Sequence, residues 1–213
     1  MGYEYFIFDL DGTLINSENS ICLALNKTLN YYGLDGLDFN YSKKFIGTPL
    51  KKVLEKLSLD PEEAIKIYRP IYFELMKTHQ FLYDGILDVL TKLKSDKTII
   101  LATNKGRSGA DLSLEYVGLE NIFHLTVTES DVENLKPSTD MFDYIKRFLS
   151  AKKQKLDFDN ADFLMIGDSP VDFEFARNSN IDFALAEWGF YDLSDFSGNP
   201  DYVLKNASDI LGL

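Results

Sequence analysis

One cysteine, two histidines and a shortage of positive charge are what this 213-residue chain most plainly lacks. Cys22 has no second cysteine to pair with, which excludes an internal disulfide and agrees with a reducing compartment. His79 and His124 are far apart and outside every motif described below, and two isolated histidines do not build a metal site. Lysine and arginine total 22 against 34 aspartates and glutamates, for a formal net charge of −12. That surplus opposes non-specific binding to nucleic acid or to an anionic membrane surface. It also means that an anionic ligand would need local cations to overcome the global field. No apolar run approaches the roughly 18 residues of a membrane span. No basic leader precedes Tyr3-Glu4-Tyr5-Phe6-Ile7-Phe8, so a secretory signal is not expected. Together these absences make the cytoplasm the expected location, with neither nucleic acid nor membrane as a partner. There is no internal repeat or low-complexity segment, and the patterns specify no oligomeric state.

What is present is an ordinary globular composition, 45% hydrophobic and 26% charged, which can form a substantial core. Short apolar runs recur at Tyr5 to Phe8, Thr98 to Ala102, Leu125 to Thr128, Phe163 to Ile166 and Phe183 to Ala186, each ended by a polar or glycine-containing turn. Helical patterns separate most of them. Ile86, Leu90 and Leu93 share one face, as do Met141, Ile145, Phe148 and Leu149, and Gly118 is a natural stop for a helix over about 107–117. Strands alternating with helices predict a Rossmann-like α/β fold, a parallel sheet covered on both sides.

The first strand breaks this rhythm. Between Phe8 and Thr98 only helical signals are convincing. Ile21, Leu25, Leu29 and Tyr32 form a stripe that ends at Gly33. Leu50, Val53, Leu54 and Leu57 form another, opened by Thr48 and Pro49. Asp60-Pro61-Glu62-Glu63 reads as an N-cap, a proline at the first helical position and a capping acid. Pro70 is expected to kink or interrupt the helix that starts there. The reading is a small all-helical cap over 16–82 inserted after the first strand of an α/β core made of 1–15 and 83–213.

Four segments carry candidate chemistry, each at the end of an expected strand, where open α/β sheets bind ligands. Phe8-Asp9-Leu10-Asp11-Gly12-Thr13 comes first. Side chains alternate along a strand, so Asp9 and Asp11 can approach one site, and Gly12 permits the turn that follows. Alone, the pair could equally be a polar strand exit or a calcium-like loop fragment. Thr103-Asn104-Lys105 follows the second core strand, Lys136-Pro137-Ser138 precedes a helix, and Gly167-Asp168-Ser169-Pro170-Val171-Asp172 follows a buried strand. Thr103 and Asn104 could instead cap a helix, and Asp172 could close a capping box with Ser169. Lys136 could be a surface lysine. Trp188-Gly189-Phe190 follows another strand end and could line the site or simply pack.

In order and spacing these segments resemble the four motifs of the haloacid dehalogenase superfamily, over essentially the whole chain and including the helical insertion. The resemblance is nearest to its phosphoglycolate phosphatase-like branch, which also contains pyrophosphatases and hexose-phosphate mutases. It implies a Mg2+-dependent phosphatase acting on a small phosphorylated metabolite, with a phosphomutase or pyrophosphatase as the alternative and a non-enzymatic binding protein as a more distant one. Asp9 then corresponds to the nucleophile, Asp11 to the general acid and base, and Lys136 to the cation that neutralises phosphoryl charge. Thr103, Asn104 and Gly12 fall at the phosphate-binding positions. Mg2+ would be held by Asp9, Asp168 and the main-chain carbonyl of Asp11, with Asp172 supporting the metal or Lys136. The resemblance has two departures: Asn16-Ser17 stands where relatives often have Asp-Ser, and Asp84-Gly85 where they often have Pro-Gly. Both lie near the hinges and outside the expected chemistry. Residues near Gly47-Thr48-Pro49, with Lys51, Lys52 and Arg69 as candidate cations, are expected to read the leaving group.

Overall fold

The structure, a computed structural model, describes residues 2–43, 45–153 and 158–213. In chain order its first half contains β1 (Tyr5–Phe8), β2 (Ile15–Asn16), α1 (Glu18–Tyr31), α2 (Phe39–Lys43), α3 (Leu50–Lys56), α4 (Pro61–His79) and β3 (Phe81–Leu82). There follow α5 (Ile86–Asp96), β4 (Thr98–Ala102), α6 (Arg107–Tyr116), β5 (Leu125–Val127) and α7 (Asp140–Lys153). The chain closes with β6 (Phe163–Gly167), α8 (Pro170–Ser179), β7 (Asp182–Ala186) and β8 (Tyr202–Leu204).

Among the described residues, six strands form one sheet in the order β5-β4-β1-β6-β7-β8, with every pairing parallel. A parallel sheet must be covered on both faces, and the strand sequences are apolar on both. Phe6, Phe8, Ile99, Leu101, Leu164 and Ile166 point to one side, where α5 and α6 bring Ile86, Leu90, Leu93 and Leu114. Tyr5, Ile7, Ile100, Phe163 and Met165 point to the other, where α7 and α8 bring Met141, Ile145, Leu149 and Phe175. The two-residue alternation thus produces two cores from one sheet.

The helices α1 to α4 lie between β2 and β3, which pair antiparallel through Ile15 with Leu82 and Asn16 with Phe81. They surround an apolar cluster of their own that includes Leu25, Val53, Leu54, Tyr68, Tyr72 and Met76. The expected break at Pro70 is not there. α4 runs unbroken for 19 residues with Pro70 inside it. Pro70 and Lys66, whose carbonyl loses its helical partner, are both exposed, so water can satisfy that carbonyl while the buried face holds the helix together. Two further differences are short. The β2–β3 ribbon and β8 were not expected: two of the three are only two residues long, and Tyr202 and Val203 of β8 are exposed.

Candidate active site

The strand register sets the site. Phe8 pairs with Leu101 on one side and Ile166 on the other, so Asp9, Thr103 and Asp168 leave the same edge of the sheet. The Asp9 amide still donates to the Ile166 carbonyl at 3.0 Å, which carries the ladder one residue past β1. Gly12 then turns the chain with φ at +97°, and a Cβ there would run into the Asp168 carboxylate. At this position glycine is required both for the turn and for the close approach.

Lys136 is the hub. Its Nζ donates to Asp9 Oδ1 at 2.7 Å and to Asp172 Oδ1 at 2.6 Å, with all three side chains buried. Asn104 fixes the lysine through its main chain: Oδ1 accepts from the Lys136 amide at 2.9 Å and Nδ2 donates to its carbonyl at 3.1 Å. The Asn104 amide, expected at a phosphate-binding position, is therefore engaged in positioning Lys136. Asp172 does both of the things its sequence context allowed. Its Oδ2 accepts from the Ser169 hydroxyl at 2.6 Å in a capping box at the start of α8, while Oδ1 faces Lys136. Thr103 is buried and its Oγ1 accepts from the Lys105 amide at 3.2 Å. It does not cap a helix, since the N-cap of α6 is Gly106.

Asp9, Asp168 and Asp172 form a group of buried carboxylates whose oxygens lie within 4.8 Å of one another. Asp168 is oriented by the Thr13 hydroxyl at 3.0 Å and the Phe190 amide at 2.9 Å. Gly189 allows this loop to pass close to Asp168, because a Cβ there would also strike the carboxylate. Burial, followed by the charges of Asp172 and Asp9, holds the Asp168 carboxyl well above the ordinary range. Burial pushes Asp9 up to about 7 against the pull of Lys136, with Asp172 and Asp11 adding to the rise. Burial alone would lower Lys136, but the charges of Asp172 and Asp9 outweigh it and keep the ammonium protonated.

The Asp11 carboxylate is turned elsewhere. Both its oxygens accept from Lys105 Nζ, at 2.8 and 2.9 Å, and the same ammonium donates to the Tyr72 hydroxyl at 2.5 Å. Asp11 is thus outside the carboxylate group as far as its side chain is concerned. The ligation expected of it runs through the main-chain carbonyl and does not depend on that orientation. Lys105, Tyr72 and Thr13 have no role assigned from sequence, whereas the Trp188-Gly189-Phe190 segment, read as able to line the site or simply to pack, brings the Phe190 amide to Asp168. Lys105 was within reach, two residues after Thr103 in the same segment, whereas Tyr72 reads only as one more apolar position of α4.

A cavity of about 200 Å3 opens above Asp9 and Lys136, walled by Asp11, Thr103 and Lys105 below and by α1, α3 and α4 above. Gly47, Thr48, Lys51 and Arg69 line it. Lys52 does not. No helix among the described residues is long and apolar enough to cross a membrane. His124 is structural, its Nδ1 accepting from the Ile99 amide at 3.1 Å, and Cys22 is buried in α1.

The resemblance to known proteins is extensive. The haloacid dehalogenase-like hydrolase family profile matches residues 6–186. A phosphoglycolate phosphatase of Aquifex aeolicus (strain VF5) is 31% identical over 210 residues, 97% of this chain and 94% of the relative. The pyrophosphatase PpaX of Bacillus mycoides (strain KBAB4) is 28% identical over 211 residues, 96% of this chain and 94% of the relative. Among solved structures, a haloacid dehalogenase-like family hydrolase from Streptococcus pneumoniae superposes with a TM-score of 0.82 at 24% identity, covering 99% of this chain and 97% of that one. One described as a predicted phosphoglycolate phosphatase from Haemophilus somnus 129PT gives 0.85 at 21% identity, with the same coverages of 99% and 97%. On the family profile, which spans most of the sequence, and on a relative matched over nearly all of it, this chain belongs to the haloacid dehalogenase-like hydrolases.

Proposed function

We propose that this chain is a Mg2+-dependent phosphatase that hydrolyses a small phosphate monoester through a phosphoaspartate on Asp9. Residues 16–82 act as the cap and 1–15 with 83–213 as the catalytic core. The observation that carries the reading is Asp9 itself, a buried carboxylate at a strand end, 2.7 Å from the Lys136 ammonium and facing a cavity. The names of the curated relatives, a phosphoglycolate phosphatase and a pyrophosphatase, support a small phosphorylated substrate.

The residues present suit a divalent cation. The donors are all oxygen, which Mg2+ prefers. Four acids, Asp9, Asp11, Asp168 and Asp172, meet only two ammonium groups, Lys105 and Lys136, and the crowding that raises Asp9 and Asp168 is what a bound cation would relieve. Asp9, Asp168 and the Asp11 carbonyl would hold Mg2+, with Asp172 beside it. When bound, the ion supplies the positive charge that lets a carboxylate approach a phosphate dianion.

The chain's own groups do the rest. An Asp9 oxygen bonds to phosphorus as the ester P–O bond breaks, while Lys136 neutralises the phosphoryl oxygens and Thr103 donates its hydroxyl to one of them. Asp11 gives its proton to the leaving oxygen, then takes one from the water that cleaves the phosphoaspartate. The test is phosphate release from a panel of esters, with trapping of the phosphoenzyme. Asp9→Asn should fold normally and release phosphate only at background. Label located on another residue would overturn the assignment.

A further inference from the structure

The roof of the cavity does not resemble its floor. Below lie the charged groups of the strand ends. Above, the wall is mostly apolar, with Phe45, Leu50, Val53, Ile65, Tyr68 and Phe73, and its uncharged polar groups are Thr48 and the Tyr68 hydroxyl. Tyr68 is buried, 6% exposed, and its hydroxyl has no hydrogen-bond partner among the described residues. The neighbouring Tyr72 hydroxyl is already engaged by Lys105, and Lys105 by Asp11. Lys51 and Arg69 also line the space but stand exposed to water.

This wall suits some leaving groups better than others. A sugar would bring several hydroxyls to a surface with few partners for them, and each one buried unpaired is unfavourable. A carboxylate or second phosphate would find Lys105, on the floor, already held by Asp11 and Tyr72, and otherwise only the water-exposed Lys51 and Arg69. The cavity measures about 200 Å3. That is more room than a phosphoryl group and a two-carbon acid fill. Aromatic and branched walls of this kind pack best against a flat apolar body.

We infer that the leaving group is a compact, ring-bearing alcohol, mostly apolar, with at most one polar atom, placed against the Tyr68 hydroxyl. This inference rests on the phosphatase reading above and narrows its substrate class.

The test compares 2-phenylethyl phosphate with ethyl phosphate, using the whole protein and Mg2+. Both release an unactivated alkoxide, so their difference reports the cavity rather than leaving-group chemistry. Burying the ring should raise kcat/KM about 10-fold or more, mainly through KM. Phe73→Ala should shrink that ratio at least about threefold, and Leu50→Ala, on a different helix, guards against a folding defect in α4. Turnover of both esters without preference, or faster hydrolysis of 2-phosphoglycolate, glucose 6-phosphate or pyrophosphate, would overturn the inference and leave the phosphatase reading intact. If no ester is hydrolysed, the phosphatase reading fails and the inference falls with it.

Discussion

Asp9 and Asp11 are two positions apart in sequence yet face different cations, Lys136 and Lys105 respectively. Division of labour between them therefore has a structural basis, and it can be tested with leaving groups of different basicity. An alkyl phosphate expels a strongly basic alkoxide unless that oxygen is protonated, whereas p-nitrophenyl phosphate expels a stabilised phenolate. General acid assistance is typically worth about 10²–10⁴-fold. Asp11→Asn should slow single-turnover phosphorylation by that order with alkyl esters and much less with the nitrophenyl ester; equal losses would show that Asp11 serves structure or metal instead. Tyr68 offers a second residue-scale test. The residue is largely buried but lines the cavity, and its hydroxyl has no protein partner among the described residues, so removing the hydroxyl deletes no described protein hydrogen bond. Tyr68→Phe should leave the urea midpoint unchanged or raise it, by less than about 1 kcal/mol. A clear fall would mean the hydroxyl is bonded.

At the scale of elements, α8 is joined to Lys136 by a single carboxylate. Asp172 Oδ2 closes the capping box with Ser169 while Oδ1 accepts from Lys136. Ser169→Ala removes only the cap and should cost about 1 kcal/mol in urea unfolding, with most activity retained. Asp172→Ala removes the carboxylate half of the capping box and a buried ion-pair partner together. It should destabilise by about 3 kcal/mol or more and lower kcat, since Lys136 would lose one of its two anchors. Equal effects of the two changes on kcat would rule out this second role. The sequence disclosed these elements unevenly, for physical reasons. The central strands were legible because burial on both faces leaves nearly uninterrupted apolar runs such as Tyr5 to Phe8. β8 was not, because two of its three residues are exposed, nor was the β2–β3 ribbon, whose strands are too short to show any period. Pro70 misled because its local penalty falls on the solvent face of a helix whose other face is buried.

Across the whole molecule, the acids gathered by the sheet register were readable one motif at a time, but their company was not. The bond from Lys105 to Tyr72 spans 33 residues and joins the strand ends to α4, so only the packed chain reveals it. The same holds for the local crowding of acids, which is a part of the global net charge of −12. Folding brings Asp9, Asp168 and Asp172 together with Lys136 as the only ammonium that touches any of the three by a described ion pair. A cation that binds this arrangement and not the unfolded chain must stabilise the fold by mass action, about 2.7 kcal/mol at one hundred times its dissociation constant. For a domain of this size each kcal/mol moves Tm by about 2–4 °C. Saturating Mg2+ should therefore raise Tm by about 5–11 °C, and a chelator should reverse the shift and abolish phosphate release together. Asp168→Asn should lose most of the Mg2+-dependent shift, whatever the substitution does to Tm without metal, because only the difference reports ligation. Calcium should stabilise without supporting comparable turnover, as it favours looser, higher coordination than phosphoryl transfer requires. An unchanged Tm with Mg2+, beside full activity in chelator, would remove the metal from this site.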